Sequence, residues 1–383
     1  MQFILFFGIV LSVHILINYY IFSRGLKTFE PGSTLRTLYI IGFWLLAASF
    51  FLGRILEKIY LSHLSDFFTW AGSFWLAAML YLFLAVLLFD LIKLADRLLP
   101  FLHHFQHNYL FRNPVLITIT TAIIVFLTVL GGHINAIYPR LKQINISVEE
   151  KVSVREQLKI AMVSDVHLGT IIGQKRLKRM VNNINAVKAD IILLSGDIVD
   201  EDLEPVIRQN LGETLSQLQA PLGVYGVTGN HEYIGGVDEA VAYLEANGIQ
   251  LLRDTTIRLF DQVYLGGRDD FESRRFGTDK RKALETVAEQ LPSDRFLILL
   301  DHQPVGIREA VDNKVDVLLC GHTHKGQLWP LNFITDALFV VGYGYEQIEN
   351  THVYVSSGIG SWGPPVRIGN RPEVVEITLN FRR

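Results

Sequence analysis

The sequence predicts an α/β protein in two parts: four apolar helices, then a layered domain in which two sheets face each other. Three observations carry that prediction. Hydrophobic residues make up 50% of the 383 and charged ones only 19%, more apolar and less charged than an ordinary water-soluble chain. Charge is also unevenly spread, because residues 1–140 hold only nine of the 35 Lys/Arg and five of the 38 Asp/Glu. From about Ser147 onward, short apolar runs alternate with charged, helical-looking segments, as buried strands alternate with surface helices. The composition excludes intrinsic disorder. A net charge of −3 argues against a nucleic-acid partner, which calls for a basic face. Cys320 is the single cysteine, so an intramolecular disulfide framework and a cysteine-rich metal site are both excluded.

Four charge-free apolar stretches, 3–22, 37–53, 67–89 and 115–138, fill the first part. A hydrocarbon core of about 30 Å needs about 20 helical residues; all four stretches meet that, the second only with help from its flanks. Tyr19, Tyr20, Trp70, Trp75 and Tyr138 sit near the ends, where amphipathic rings prefer the interface. A signal peptide is the competing reading of the first stretch, which lacks a basic leader and a small-residue cleavage signature. Residues 1–140 are therefore read as the transmembrane domain of an integral, multi-pass protein in contact with the lipid bilayer. Loops one and three carry Arg24, Lys27, Arg36, Lys93, Arg97 and Arg112, against Arg54, Lys58, Arg140 and Lys142 on the other side. That bias puts loops one and three in the cytoplasm and the C-terminal domain outside it. His14 and Asn18, one turn apart, read as an interhelical hydrogen-bonding pair. His103, His104 and His107 read as part of an amphipathic interfacial segment rather than a metal cluster.

Residues 141–154 are read as a linker and 155–383 as the second domain. Within it the runs 160–163, 191–194, 224–227, 263–265, 296–300 and 315–319 read as buried strands. Two more, 353–355 and 374–379, flank a Gly/Pro-rich loop. Helix-like stretches cover 174–187 and 237–247, the second closed by Gly248. Strands outnumber helices, which favours two facing sheets in a layered domain.

The chemistry sits where these strands end. Asp165 and His167 follow the first run; Asp197 and Asp200 follow the second; Asn230, His231 and Glu232 follow the third. Asp301 and His302 follow 296–300, and His322 and His324 follow 315–319. Strand ends are where α/β folds place ligand groups, and five such junctions carrying Asp, His or Asn exceed what chance supplies. Carboxylates, imidazoles and an amide oxygen, without thiolate, suit hard or borderline divalent cations such as Mn, Fe or Zn. Asp165 and His167, two apart on extended chain, can turn toward one ion. His322 and His324 repeat that spacing and can be split between two. The glycines at 196, 229 and 321 are read as sharp backbone turns. Together the residues read as a centre for two divalent metal ions.

In order they spell D-x-H, GD-x-x-D, GNH-[ED], a lone H and GH-x-H. On that pattern residues 155–383 resemble the calcineurin-like metallophosphoesterase superfamily. The four-helix leader is similar to a membrane-anchored bacterial branch, which implies a bacterial inner (cell) membrane. The resemblance implies a two-sheet α/β sandwich of metallophosphoesterase type. It gives Asp165, His167, Asp197 and His324 to one cation and Asp197, Asn230, His302 and His322 to the other, with Asp197 bridging. It also implies hydrolysis of a phosphoester by a hydroxide held between the cations. His231 would then protonate the leaving group, held in the donor tautomer by Asp200.

Departures narrow the substrate. Protein phosphatases of this superfamily have an arginine directly after the acid at position 200, and here the residue is Glu201. A phosphodiester or pyrophosphate, lipid-linked or from the cell envelope, is expected instead, with no obligate protein partner. Trp329, Leu331, Phe333, Phe339 and Trp362 read as an apolar shelf for acyl chains, with core packing as the competing reading. Arg367 is a candidate contact for substrate phosphate or a lipid headgroup, with a loop salt bridge as the equal alternative. Glu232 is read as bridging its loop or touching substrate, Asp269 and Asp270 as structural, Cys320 as core, and Lys325 as solvated. A different class of function stays open. The helices would be a membrane sensor or carrier, and the phosphoesterase domain a metal-dependent regulatory module.

Overall fold

A computed structural model of the chain describes residues 2–98, 113–148, 155–277 and 280–381. His103, His104, His107 and Arg112 lie outside the described residues. The chain divides into two compact units, Met1–His133 and Ile134–Arg383.

The first unit holds α1 (Gln2–Gly25), α2 (Thr34–Ile59), α3 (His63–Leu98) and most of α4 (Pro114–Ala136). Each of the four helices is long and apolar enough to cross a membrane. The marginal stretch 37–53 is the middle of a 26-residue helix, about 39 Å long at 1.5 Å per residue, so its flanks supply the length it lacks. Ser33 starts that helix by accepting a hydrogen bond from Arg36 N at 3.2 Å, satisfying a backbone donor that would otherwise lack a partner. Small residues line the seam between α2 and α3, with Ala47, Ser49 and Gly53 buried on one and Thr69, Gly72, Ser73 and Ala77 on the other. Such residues let backbones approach closely, which is how helices associate where lipid offers no hydrophobic drive. His14 and Asn18 make the expected interhelical bonds: His14 Nε2 lies 2.9 Å from Ala47 O, and Trp75 Nε1 donates to Asn18 Oδ1 at 2.9 Å.

The second unit contains twelve strands among the described residues: β1 (Arg140–Val148), β2 (Gln157–Val163), β3 (Ile191–Ser195), β4 (Val224–Val227), β5 (Gln250–Leu251), β6 (Thr255–Phe260), β7 (Val263–Gly267), β8 (Phe296–Leu300), β9 (Val317–Cys320), β10 (Gly344–Ile348), β11 (Thr351–Val355) and β12 (Glu373–Phe381). One sheet runs β1-β12-β2-β3-β4-β5 and the other β10-β11-β9-β8-β7-β6. Alternation along the strands makes the layers. Ile160, Met162, Ile191 and Leu193 face a core shared with Ile298, Leu300, Val317 and Leu319 of the other sheet. Their neighbours Ala161, Val163, Ile192 and Leu194 pack under α5 (Gln174–Ala186) through Leu177, Met180, Val181 and Ile184. Leu297, Leu299, Leu318 and Cys320 pack on the far side against Leu284, Ile307 and Ala310. With both faces covered, central strands read as unbroken apolar runs, which is why the sequence displayed them.

Most of the stretch read as a linker is a strand instead. β1 pairs in parallel with β12 from Arg140↔Glu373 to Val148↔Phe381. Only Ile146 and Val148 of it are buried, so no apolar run announced it. At one end of the sandwich the C-terminal ends of β2, β3, β4, β8 and β9 converge. His302, just after β8, donates from Nδ1 to Ser195 O at the end of β3, 2.8 Å away, and so ties the two sheets together there.

Candidate metal centre

Each of these strands stops in a turn that presents polar side chains. Asp165, His167, Asp197, His322 and His324 all have left-handed backbone, with φ of 54°, 52°, 50°, 72° and 47°. That conformation costs a non-glycine residue about 1–3 kcal/mol, and it persists only where surrounding structure enforces it, typically at functional sites. The glycine expectation needs correction. Gly196 does turn the chain, at φ 83°, but Gly229 has φ −109° and is there for space: a Cβ would lie 2.1 Å from Asp197 Oδ1.

Three groups of side chains result, two of them built from the residues read as ligands and a third from His167, Asp200 and His231. Ligand atoms of Asp165, His167 and His324 lie within 4.8 Å of one another, and so do those of Asp197, His302 and His322. In the first group His167 Nε2 is 3.0 Å from His324 Nε2, which is 3.4 Å from Asp165 Oδ1. In the second His302 Nε2 is 3.0 Å from Asp197 Oδ2. Asn230 Oδ1 joins it, 3.2 Å from His302 Nε2 and 2.9 Å from His322 Nδ1. Asp197 Oδ2 also lies 3.8 Å from His167 Nε2, which places this carboxylate between these two groups. Each group could hold a divalent cation.

Electrostatics fit that use at most of these residues. His302 is the exception: its burial is outweighed by Asp197, which raises its pKa well above the ordinary value, so a cation would have to displace a proton from it. Burial pushes the Asp165 carboxyl up from its ordinary value, so an ionised Asp165 needs a cation beside it. Asp197 is also buried, yet His302 and His231 hold it well below the carboxylate range. Burial first, then neighbouring imidazoles, push His322 down to about 3, and burial, His167 and Arg367 push His324 down as well. Both rings are therefore neutral, the form that binds metal.

Asp200 stands beside the first group. Its Oδ1 is 3.1 Å from His231 Nδ1 and 3.6 Å from His167 Nδ1. Burial opposes charge on His231, but Asp197, Asp200 and Glu201 outweigh it and raise its pKa to about 9. Glu232 neither bridges the loop to a cation nor faces outward. It is buried and accepts from three backbone N–H groups: Gly229 at 2.7 Å, Val199 at 2.8 Å and Asp197 at 3.2 Å. A glutamate three residues after a helix start is the spacing for reaching back to that first N–H, a signal the sequence did contain.

The sequence leaves Arg367 as either a phosphate contact or a loop salt bridge, and its surroundings favour a buried structural tie. Its side chain is fully buried, bonding Gly360 O at 2.7 Å, Asn370 Oδ1 at 3.0 Å and His324 Nδ1 at 3.0 Å. It backs His324 instead of facing open space. Asp301, which sits among the motif residues, is held by Arg281 through two bonds of 2.9 and 2.5 Å, so its carboxylate braces the turn that carries His302. Asp269 accepts from Thr228 Oγ1 and Arg253 Nε, consistent with a structural role.

Residues 158–326 match the family described as Calcineurin-like phosphoesterase. A transmembrane protein with metallophosphoesterase domain from Danio rerio is 33% identical over 286 residues, covering 70% of this chain and 63% of that protein. This chain thus spans less than two thirds of that relative's length. An uncharacterized metallophosphoesterase from Aquifex aeolicus is 31% identical over 264 residues, 67% of this chain and 98% of that one. Among solved structures, a dimetal phosphatase from Danio rerio aligns over 59% of this chain and 99% of its own, at 11% identity and a TM-score of 0.37. The chain belongs to the calcineurin-like metallophosphoesterases.

Proposed function

We propose that the protein is a membrane-anchored, two-metal phosphoesterase that hydrolyses a phosphodiester or pyrophosphate bond in a lipid-linked substrate, with its catalytic unit outside the cytoplasm. The observation that carries this reading is the pair of Asp/His groups sharing Asp197. The donor set of oxygens and imidazole nitrogens suits divalent cations of the Mn, Fe or Zn kind. When bound, such cations neutralise phosphoryl oxygens and acidify water. Asp197 sits between the groups, Asp165, His167 and His324 serve one side, and Asn230, His302 and His322 the other. His231 carries the proton for the departing alkoxide. Its Nδ1 lies 3.1 Å from Asp200 Oδ1, a carboxylate placed to favour the proton on that side and leave Nε2 for the leaving oxygen. Glu232 keeps Asn230 and His231 in place through the backbone it binds.

The lipid preference rests on the rim. Trp329, Phe333 and Trp362 are 49%, 63% and 50% exposed, and Ile334, Leu338 and Val340 are exposed beside them. Leu331 and Phe339 are half-buried. The Trp362 ring lies 5.8 Å from that of His231, and the Phe339 ring 6.2 Å from that of His322. An exposed apolar patch of this kind marks a binding surface, and here it borders the reacting groups. The test is incubation of Mn²⁺-loaded full-length protein, or its Asp197→Asn variant, with lipid vesicles and with bis(p-nitrophenyl) phosphate. Release of nitrophenol and loss of one lipid class in the wild type only are expected; equal lipid profiles for the two proteins would overturn the lipid substrate.

One observation favours a second reading. Among α1–α4 lies a cavity of about 730 Å³ with walls such as Phe43, Trp75 and Leu82, and with Arg24, Lys27, Lys93 and Arg97 at its margin. A lipid-sensing helical unit governed by a regulatory phosphoesterase domain would use it. Metal binding without turnover of any phosphoester would select that reading.

A further inference from the structure

A second polar cavity, of about 340 Å³, opens in the Ile134–Arg383 unit and is lined by Asn135, Arg140, Lys325, Tyr343, Asn370 and Arg371. Its charge is lopsided. The acid that meets it is Glu373, 3.5 Å from Arg140 Nη2. That carboxylate is fully buried and already accepts from Tyr354 Oη at 2.8 Å, Tyr343 Oη at 3.0 Å and Ser357 N at 3.1 Å. Lys325 Nζ rests 4.3 Å from the centre of the Tyr343 ring. Among the described residues neither Lys325 nor Arg371 makes an ion pair. Three cations around one concave, polar surface repel one another and favour an anion among them, and Arg and Lys together suit phosphate oxygens.

The cavity is wired to the candidate centre. Lys325 directly follows His324 in the chain. Asn370 accepts from Arg367, whose other nitrogen meets His324 Nδ1, so a single arginine separates cavity wall from candidate ligand. Asn135, whose Nδ2 donates to Arg367 O and Asn370 O at 2.9 and 2.7 Å, lies in the last turn of α4, and Arg140 is four residues past its end. A helix that crosses a membrane ends at headgroup level, which is where lipid phosphates are.

We propose that this cavity is an anion subsite for a phosphate group other than the one cut, so that the substrate carries two. Lys325 is then a ligand-binding residue rather than a solvated one. The subsite's role rests on the phosphoesterase reading; its binding does not, and is measured without turnover.

The test uses the full-length chain in nanodiscs of phosphatidylcholine, as purified with Mn²⁺ and again after chelation. It is titrated calorimetrically with inorganic phosphate and, separately, with dihexanoyl phosphatidic acid. The wild type is expected to keep one binding site after chelation. Lys325→Ala/Arg371→Ala weakens that site by about tenfold or more, the loss of two charge-assisted contacts, while Lys325→Arg/Arg371→Lys restores it. Metal content, measured in parallel, is unchanged. Binding of phosphatidic acid alone identifies a lipid phosphate as the ligand, and equal binding of inorganic phosphate identifies a free one. No binding after chelation, or equal affinity in wild type and alanine variant, overturns the subsite. Absence of diester turnover in a protein that still binds would instead count against the phosphoesterase reading.

Discussion

In the proposed mechanism His231 and Asp200 separate two jobs that a phosphoesterase must keep apart, holding metal and moving a proton. Substituting Gln for His231 should leave bound metal unchanged and lower kcat by about 10²–10⁴-fold, the usual contribution of a general acid; equal metal loss in His231→Gln and Asp197→Asn would contradict that role. The raised pKa gives a sign. A proton donor at about 9 is loaded at neutral pH and empties as pH rises, so kcat should fall on the alkaline side. A cation sharing Asp197 weakens the carboxylate support, so the apparent pKa should sit at or below about 9, and His231→Gln should flatten that limb. Glu232→Ala should destabilise the domain by roughly 1–3 kcal/mol in denaturant unfolding, because Gly229, Val199 and Asp197 each lose a buried acceptor. At this scale the motif residues were readable because their types are rare in such spacings. The part played by Arg367 was not, since it depends on His324 and Gly360 arriving from elsewhere in the fold.

Strands tell a sharper story about what sequence patterning reveals. The central strands β2, β3, β8 and β9 were all anticipated within a few residues. The four without an expected counterpart, β1, β5, β6 and β10, are the four edges of the two sheets. An edge strand is only partly covered and often carries charge against unwanted pairing, so RLKQINISV in β1 and GYEQI in β10 show no apolar run. The consequence for β1 is testable. Ile146 is 4% exposed in the core between the sheets, and Ile146→Ala should cost about 2–5 kcal/mol in an unfolding titration. A linker residue would cost almost nothing.

Over the whole molecule, the division into a charge-poor and a charge-rich half was legible because a bilayer and water impose different compositions. For orientation the sequence offers only the Lys/Arg bias of the loops, and the side on which the domain lies belongs to the proposal. It can be read chemically, since Cys320 is the sole cysteine and is buried. A single Glu349→Cys substitution, at an exposed position, should be labelled by a membrane-impermeant maleimide on intact cells; labelling only after permeabilisation would put the domain in the cytoplasm. Metal also links to stability. Mn²⁺ at about 100 times its Kd should stabilise the wild type by about 2.7 kcal/mol through mass action, and Asp197→Asn should lose most of that. Above all, the account claims that distant strand ends assemble to bind cations for hydrolysis. Elemental analysis of full-length protein, paired with turnover of bis(p-nitrophenyl) phosphate on the same sample, tests this most directly. Close to two divalent ions per active chain, with both metal and turnover falling in Asp197→Asn, is the predicted result; full turnover from a chain carrying no divalent metal would contradict it.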